Sequence, residues 1–264
     1  MPDAVFPFPG GKSRLASWIL EHVPEHECFV EAFGGAAGVL ANKDPETSSV
    51  EVYNDLDEDL VHFFEVLREQ PDELVQWLSS VPYSRTVHTD WAEAYYQGYR
   101  PKDDVKRAGQ FFYLRYAQWG AGYSGENGFA TSKVSNSALS FSNKIDRLRE
   151  FAERFDDVVV ENLHWRELVE KYDSEETVFY FDPPYVGTED YYPTSEIVHG
   201  ELVDAIGDLD GYGICSYQEL PEGADDLEVL ARDSKNYINS GTSGSANETR
   251  ERLLLNFEPS PIGM

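Results

Sequence analysis

Val178-Phe179-Tyr180-Phe181 is an apolar run that stops at Asp182, and Pro183, Pro184 and Tyr185 follow at once. Three of its four residues are aromatic, and the run reads as a buried strand. The two prolines fix φ and remove two N–H donors, so the turn is stiff. A buried strand that ends this way carries a carboxylate and an aromatic ring to the carboxyl edge of a sheet. In open α/β sheets that edge is where ligands bind. Taken alone, the segment suits equally well a strand with a stiff turn and a capping acid.

Two earlier segments have the same grammar. Cys28-Phe29-Val30-Glu31-Ala32-Phe33 reads as a buried strand, followed by Gly34-Gly35-Ala36-Ala37-Gly38 and the helical Val39-Leu40-Ala41. Strand, glycine turn and helix form the first unit of a doubly wound fold, and bare glycine backbone admits a ligand against the helix N-terminus. The strict GxGxxG spacing is absent, so a dinucleotide is not implied. Ser49-Val50-Glu51-Val52-Tyr53-Asn54-Asp55 is a second strand ending in an acid, and Leu56-Asp57-Glu58-Asp59-Leu60 opens a helix carrying Val61, Phe64 and Leu67. An acid roughly 20 residues after a glycine turn has the placement that grips a ribose diol. Glu31 suits an ammonium partner or, as a lone acid, a solvated strand end.

The chain begins with Phe6-Pro7-Phe8-Pro9-Gly10-Gly11-Lys12, then an amphipathic helix with Leu15, Trp18 and Ile19 on one face. The glycines let backbone pass close to a ligand beside Lys12. Their spacing is wrong for a phosphate loop, and a surface lysine at a glycine-led helix start is the simpler reading.

Beyond residue 70 the pattern changes. Leu74, Val75, Trp77 and Leu78 suggest one helix, and 102–118 another, with Lys102, Lys106, Arg107 and Arg115. Trp119 to Lys133 has glycines and aromatics without helical period and reads as a long loop or hairpin bearing Tyr123, Asn127, Phe129, Thr131 and Lys133. Such residues suit base-edge and phosphate contacts, and they equally suit a surface loop with no partner. A helix is expected from about Phe141 to Phe155. Asp157 to Leu163 reads as a strand, and His164-Trp165-Arg166-Glu167-Leu168 enters a short helix. After Tyr185 come Tyr191 and Tyr192, a helix near 195–207 and a strand from Tyr212 to Tyr217. Asn236-Tyr237-Ile238 and Arg252 to Phe257 are the last strand candidates, with Ser240 to Thr249 polar and flexible between them. Seven strands interleaved with helices predict an α/β three-layer sandwich.

Charge is the outlier. The chain of 264 residues carries 21 basic and 49 acidic residues, a net charge of −28, and only eight lysines. An acidic surface normally argues against nucleic acid, because phosphate contacts supply most non-specific affinity. Disorder is opposed by an aromatic content of 14%. Acids spread over the whole chain fit a protein built for molar salt, where self-repulsion is screened within about 3 Å. On that reading the charge no longer excludes DNA. Cys28 and Cys215 form neither a disulfide framework nor a CxxC motif, which fits a reduced interior. There is no signal-peptide pattern and no apolar stretch of membrane-spanning length, so a soluble, cytoplasmic protein is expected.

Taken together, Pro9-Gly10-Gly11-Lys12, Glu31-Ala32-Phe33-Gly34-Gly35-Ala36-Ala37-Gly38, Asn54-Asp55, Phe111-Phe112-Tyr113-Leu114-Arg115, Asp182-Pro183-Pro184-Tyr185 and Arg252-Leu253-Leu254-Leu255-Asn256-Phe257 resemble, in order, the blocks of a Dam-like DNA adenine-N6 methyltransferase. The charge suggests a halophilic archaeon or its virus as host. The resemblance implies a doubly wound, mostly parallel seven-stranded sheet of the Rossmann-like class I methyltransferase kind. A catalytic domain over 1–69 and 140–264 would carry an inserted, mainly helical target-recognition region over 70–139, with a hairpin at about 119–138. It implies S-adenosylmethionine as donor, no metal, and double-stranded DNA as partner. A cognate restriction endonuclease, a monomeric state and a nucleoid-associated location in a high-salt cytoplasm complete the expectation.

Carried over by position, Phe8, Gly11, Lys12, Glu31, Phe33, Gly34, Gly35, Asp55, His164 and Asp182 line the donor site. Asp55 takes the ribose hydroxyls. Asp182, Pro183 and Tyr185 serve the reaction, and Arg115, Tyr123, Asn127 and Lys133 touch DNA. The sequence departs from the pattern at His164, where an acid is common, at Phe8, where Trp or Tyr is common, and at Arg115-Tyr116, where Asn-Arg is usual. The target sequence therefore does not carry over. Two alternatives stay open. One is a same-fold methyltransferase acting on RNA or a protein glutamine, which more often has Asn at the place of Asp182. The other is a non-catalytic DNA-binding relative, against which intact Lys12, Asp55, Asp182 and Tyr185 argue.

Overall fold

The computed structural model describes residues 4–119, 125, 127–185, 197–236 and 247–259. Its strands are β1 (Cys28–Glu31), β2 (Val50–Asn54), β3 (Val158–Glu161), β4 (Thr177–Phe181), β5 (Tyr212–Tyr217), β6 (Glu228–Asn236) and β7 (Asn247–Leu255). The helices among the described residues are α1 (Ala16–Leu20), α2 (Glu58–Glu69), α3 (Pro71–Ser79), α4 (Arg85–Tyr96), α5 (Asp104–Ala117), α6 (Ser137–Asp146), α7 (Leu148–Phe155), α8 (Trp165–Tyr172) and α9 (His199–Gly207). None is long and apolar enough to cross a membrane.

The strands form one seven-stranded sheet in the order β3-β2-β1-β4-β5-β7-β6. All pairs are parallel except those of β7 with β5 and β6. This is the doubly wound, mostly parallel architecture the sequence implied. The chain winds outward from β1 to β3, then returns to β4 beside β1. That reversal opens a crevice at the carboxyl ends of β1 and β4. Register keeps those ends level, with Glu31 opposite Tyr53 of β2 on one side and Tyr180 of β4 on the other.

Alternation along each strand feeds two cores, one per face. Phe29, Tyr53, Tyr180, Ile214 and Leu255 join one cluster with Phe6, Phe63, Phe64, Phe111 and Phe112. Val30, Val52, Phe179, Phe181, Cys215 and Leu254 join the other with Leu168 of α8 and Leu202 and Ile206 of α9. Because both faces are covered, the central strands are mostly apolar, and the polar residues they do carry, Glu31, Glu51, Asn54, Thr177 and Ser216, are buried.

The segment 70–139 builds α3 to α5 onto the first cluster, where Leu74, Leu78, Ala108 and Tyr113 are buried with the sheet's own Phe29 and Tyr53. It shares that core rather than having its own. At the end of α5, Gln118 and Phe129 form an antiparallel bridge, as a hairpin requires. Most of the tip lies outside the described residues, and the far end passes into α6 at Ser137.

Three expectations need correction. The helix expected over 141–155 is two helices that turn at Arg147. Phe141, Ile145, Leu148, Phe151 and Phe155 all enter the same cluster, so apolar spacing does not record the turn. The strand expected at Asn236 to Ile238 instead starts at Glu228 and ends at Asn236, and Tyr237 and Ile238 lie outside the described residues. β6 is one of the two edge strands of the sheet, and its own sequence is largely polar, which hides it from a search for apolar runs. Of the stretch Ser240 to Thr249, Asn247 to Thr249 already belong to β7, and the rest lies outside the described residues. Helix α4 had no counterpart in the sequence reading, although Val87, Trp91 and Tyr95, at helical spacing, pack against the same cluster.

Candidate active site

The turn after β1 is shaped by what lies behind it. A side chain at Gly34 would put a Cβ 2.2 Å from the Tyr53 ring, and one at Gly35, with φ of +50°, would meet the Phe8 ring at 2.7 Å. The Tyr53 hydroxyl donates to the Gly35 carbonyl at 2.8 Å. Asp55, one residue past β2, accepts the Gly35 N–H at 2.9 Å through Oδ2 and the Asp57 N–H at 2.9 Å through Oδ1. Glu31 accepts the N–H groups of Val39 and Leu40 at 3.2 and 2.9 Å. It is 2% exposed, so it is not a solvated strand end. Asn54 locks the ends of three strands together. Its Nδ2 donates to the carbonyls of Ala32 and Leu163, and its Oδ1 accepts the Leu163 N–H.

Across the crevice, Asp182 follows β4 directly. The Lys12 ammonium lies 2.7 Å from its Oδ1 and 2.9 Å from its Oδ2, donates to the Gly10 carbonyl at 2.8 Å, and sits 4.9 Å above the centre of the Tyr185 ring. Burial pushes the carboxyls of the site up: Glu31 to about 8, Asp55 to about 6 and Asp182 to about 6. At Asp182 the Lys12 charge opposes that rise and the Glu251 charge adds to it. At Glu31 the two backbone N–H bonds oppose it.

Lys12 and the three carboxyls face one cleft with about 930 Å³ of space between atoms, part of it open to solvent, and of the turn after β4 its lining includes Asp182 and Pro184 but not Pro183 or Tyr185. Phe8, Gly11, Lys12, Glu31, Phe33, Gly34, Gly35, Asp55, His164 and Asp182 all line it. The ten positions expected at a donor site thus converge from the N-terminal loop and the ends of four strands. Asn54, Asp57, Leu163, Trp165 and Ile197 line it too, and sequence reasoning had not singled them out for it.

Residues 8–201 match the family described as D12 class N6 adenine-specific DNA methyltransferase. The chain belongs to this family. Its members use S-adenosylmethionine as methyl donor. The DNA adenine methylase of Escherichia coli (strain K12) is 34% identical over 127 residues, which are 46% of this chain and 42% of that protein. The DNA adenine methylase of Salmonella typhi is 35% identical over 130 residues, again 46% and 42%. The chain spans less than half the length of these curated relatives. A putative methyltransferase from Escherichia coli superimposes at a TM-score of 0.40 with 9% identity over 95% of this chain and 90% of that one, too distant to argue from.

The cleft suits the donor of the D12 methyltransferases. That donor carries an ammonium and a sulfonium, and the cleft offers the carboxyls of Glu31, Asp55 and Asp182. The rings of Phe8, Phe33 and Trp165 supply apolar wall, and the glycine turn leaves backbone bare beside them. His164 has a second task in this chain. Its Nδ1 accepts the Arg166 backbone N–H at 3.3 Å while the His164 backbone N–H donates to the Glu167 carboxylate at 3.2 Å, which caps α8.

The expected DNA contacts fare unevenly. Arg115 is only 2% exposed. It donates to the Tyr96 hydroxyl at 3.3 Å and lies over the rings of Tyr95 and Phe111, so it is a core cation and does not reach the surface. Asn127 donates to the Gly125 carbonyl within its loop. Lys133 is exposed. Tyr123 lies outside the described residues.

Proposed function

We propose that the chain methylates the exocyclic amino group of adenine in double-stranded DNA. The observation that carries this reading is the pairing of Asp182 and Tyr185 at the end of β4 with a cleft lined by the glycine turn and Asp55. Lys12, Phe8, Phe33 and the glycines would hold the donor, with Asp55 on its ribose and Glu31 near its ammonium. Bound there, S-adenosylmethionine supplies a methyl group already activated on sulfur.

The remaining work belongs to the protein. An adenine inside a duplex cannot present its amino group, so the base is flipped out. Tyr185 offers an aromatic face for it, and stacking contributes about 1–3 kcal/mol per base. The amino nitrogen is a weak nucleophile because its lone pair is shared with the ring. The Asp182 carboxylate and the Pro183 carbonyl can accept its two N–H bonds, which favours a tetrahedral nitrogen with its lone pair aimed outward. Asp182 is then the group beside the nitrogen to take the proton it sheds. Alignment and fixed charges carry the rate.

We further propose that the chain acts as a monomer, close to the nucleoid of a high-salt cytoplasm. A cognate restriction endonuclease is the partner to look for. The test incubates the full chain with plasmid DNA and methyl-labelled donor in molar KCl and maps labelled adenines. Label at N6 within one recurring sequence is expected. Asp182→Ala should lower transfer by at least about a hundredfold while donor binding largely survives. Label on RNA or protein glutamine, with none on DNA, would overturn the proposal.

A further inference from the structure

Glu251 lies on β7, beyond residues 8–201, and is only 7% exposed. Its Oε2 accepts the Tyr185 hydroxyl at 3.0 Å, and its Oε1 accepts Nε2 of Gln218 at 3.0 Å. Both oxygens are therefore satisfied, the condition under which a carboxylate stays buried. The three residues come from three places: the turn after β4, the end of β5 and the middle of β7.

The acceptor is on rigid backbone. Glu251 stands opposite Arg232 of β6, and its neighbour Arg252 stands opposite Tyr217 of β5. The Arg252 guanidinium donates to the Gln218 carbonyl, which ties the same corner a second time. Tyr185 sits on a turn outside the sheet's ladder. One face of its ring meets the Lys12 ammonium at 4.9 Å, and the Tyr217 ring lies 6.0 Å away at 34°. A hydrogen bond at the hydroxyl, the far end of the ring axis, adds a directional constraint that neither of these two contacts supplies.

We infer that Glu251 is a positioning residue, which holds the Tyr185 ring through its hydroxyl at the tilt a flipped base stacks on. This makes the β6–β7 hairpin part of the base site. The inference rests on the proposed methylation of adenine. It assigns Glu251 no contact with donor or base, so the donor's affinity should not depend on it.

The test uses the full chain as wild type, Glu251→Ala, Tyr185→Phe and the double variant. Single-turnover methyl transfer and donor affinity are measured for each at a pH well above about 6, where Asp182 is ionised with or without the Glu251 charge. Each single change is expected to slow transfer about tenfold, the scale of one hydrogen bond to a charged group. The double variant should be no slower than either, and donor affinity should stay within about twofold. Glu251→Gln keeps an acceptor for Tyr185 once the Gln218 amide turns over, so it should restore most of the rate, and it serves also if the alanine variant folds poorly. Multiplying losses in the double variant, or donor affinity falling with the rate, would overturn the inference. A separate readout needs no activity. With 3-fluorotyrosine in place of Tyr185, the fluorine beside the hydroxyl should shift when Glu251 becomes Ala. An unmoved resonance removes the contact and the inference with it. A shifted resonance in a protein that methylates no adenine means that the methylation reading has failed, and the stacked base with it.

Discussion

The ammonium of Lys12 straddles the carboxylate of Asp182, 2.7 Å from one oxygen and 2.9 Å from the other. The two residues are 170 positions apart, and their contact closes the crevice between the N-terminal loop and β4. Lys12 is the cation that keeps Asp182 ionised against burial. On the proposed reading, an incoming amino group would share the carboxylate that Lys12 now holds, since each of its oxygens can accept more than one hydrogen bond.

Lys12→Met keeps the stem and removes the charge. Asp182, already pushed up to about 6, rises further, because the ionised form loses its partner. The acid limb of kcat/KM should then move upward by about 1–3 pH units. Glu251→Gln should move it the other way, since the Glu251 charge holds Asp182 up. A pH–rate profile of both variants checks the sign. A limb that stays put in Lys12→Met would mean that Asp182 does not set it.

Stability should carry the mark of the same buried acids. In the folded chain without donor, Asp55 and Asp182 titrate near 6 and Glu31 near 8, above the ordinary carboxyl range. The folded state therefore holds protons that the unfolded chain has released. Their contribution is greatest below about pH 4 and is lost as pH rises through about 6 for the two aspartates and about 8 for Glu31. Between pH 6 and 8 the slope from Glu31 approaches about 1.4 kcal/mol per pH unit. Urea midpoints at constant salt should fall across that window and flatten in Glu31→Gln.

Most of the site was legible because its residues sit in short runs that end strands. Asp55 and Asp182 each follow an apolar run, and the glycines after Phe33 need no tertiary information to be noticed. What could not be read depends on pairings between distant segments. Arg115 looked like a surface cation because the sequence does not say that Tyr95, Tyr96 and Phe111 close over it. Helix α4 packs through Val87, Trp91 and Tyr95, a half-buried stripe at i, i+4 and i+8 that the sequence reading passed over among polar neighbours. Glu251 stands one residue before a run recognised as a strand. Its meaning comes from Tyr185, 66 positions away.

Gly34 and Gly98 separate two effects of adding a methyl group. At Gly34 a Cβ would stand 2.2 Å from the Tyr53 ring, which in turn holds the Gly35 carbonyl. Gly34→Ala should cost about 1–3 kcal/mol by overpacking and weaken donor binding further by moving the turn. Gly98 has φ of +88° with nothing within 4 Å of the added Cβ. Gly98→Ala should lower the melting temperature through backbone strain of about 1–2 kcal/mol and leave donor affinity unchanged. Equal donor affinities in the two variants would deny the turn its role.

Salt should act on this chain in two opposed ways, and the balance tests the reading of its charge. For an ordinary DNA-binding protein, affinity falls steeply with salt because bound cations are released from the phosphates. Here the chain carries −28. Its acids repel one another and the duplex, and molar salt screens both repulsions to about 3 Å. The melting temperature should therefore climb between 0.1 and 3 M KCl by roughly 5 °C or more, the equivalent of about 2 kcal/mol or more in a domain of this size. Methyl transfer to plasmid DNA should persist or improve over the same range. A melting temperature that does not rise, with activity lost above 0.5 M, would mean that the acidity is not an adaptation to salt. The DNA partner would then need a cationic surface that the described residues do not present in Arg115.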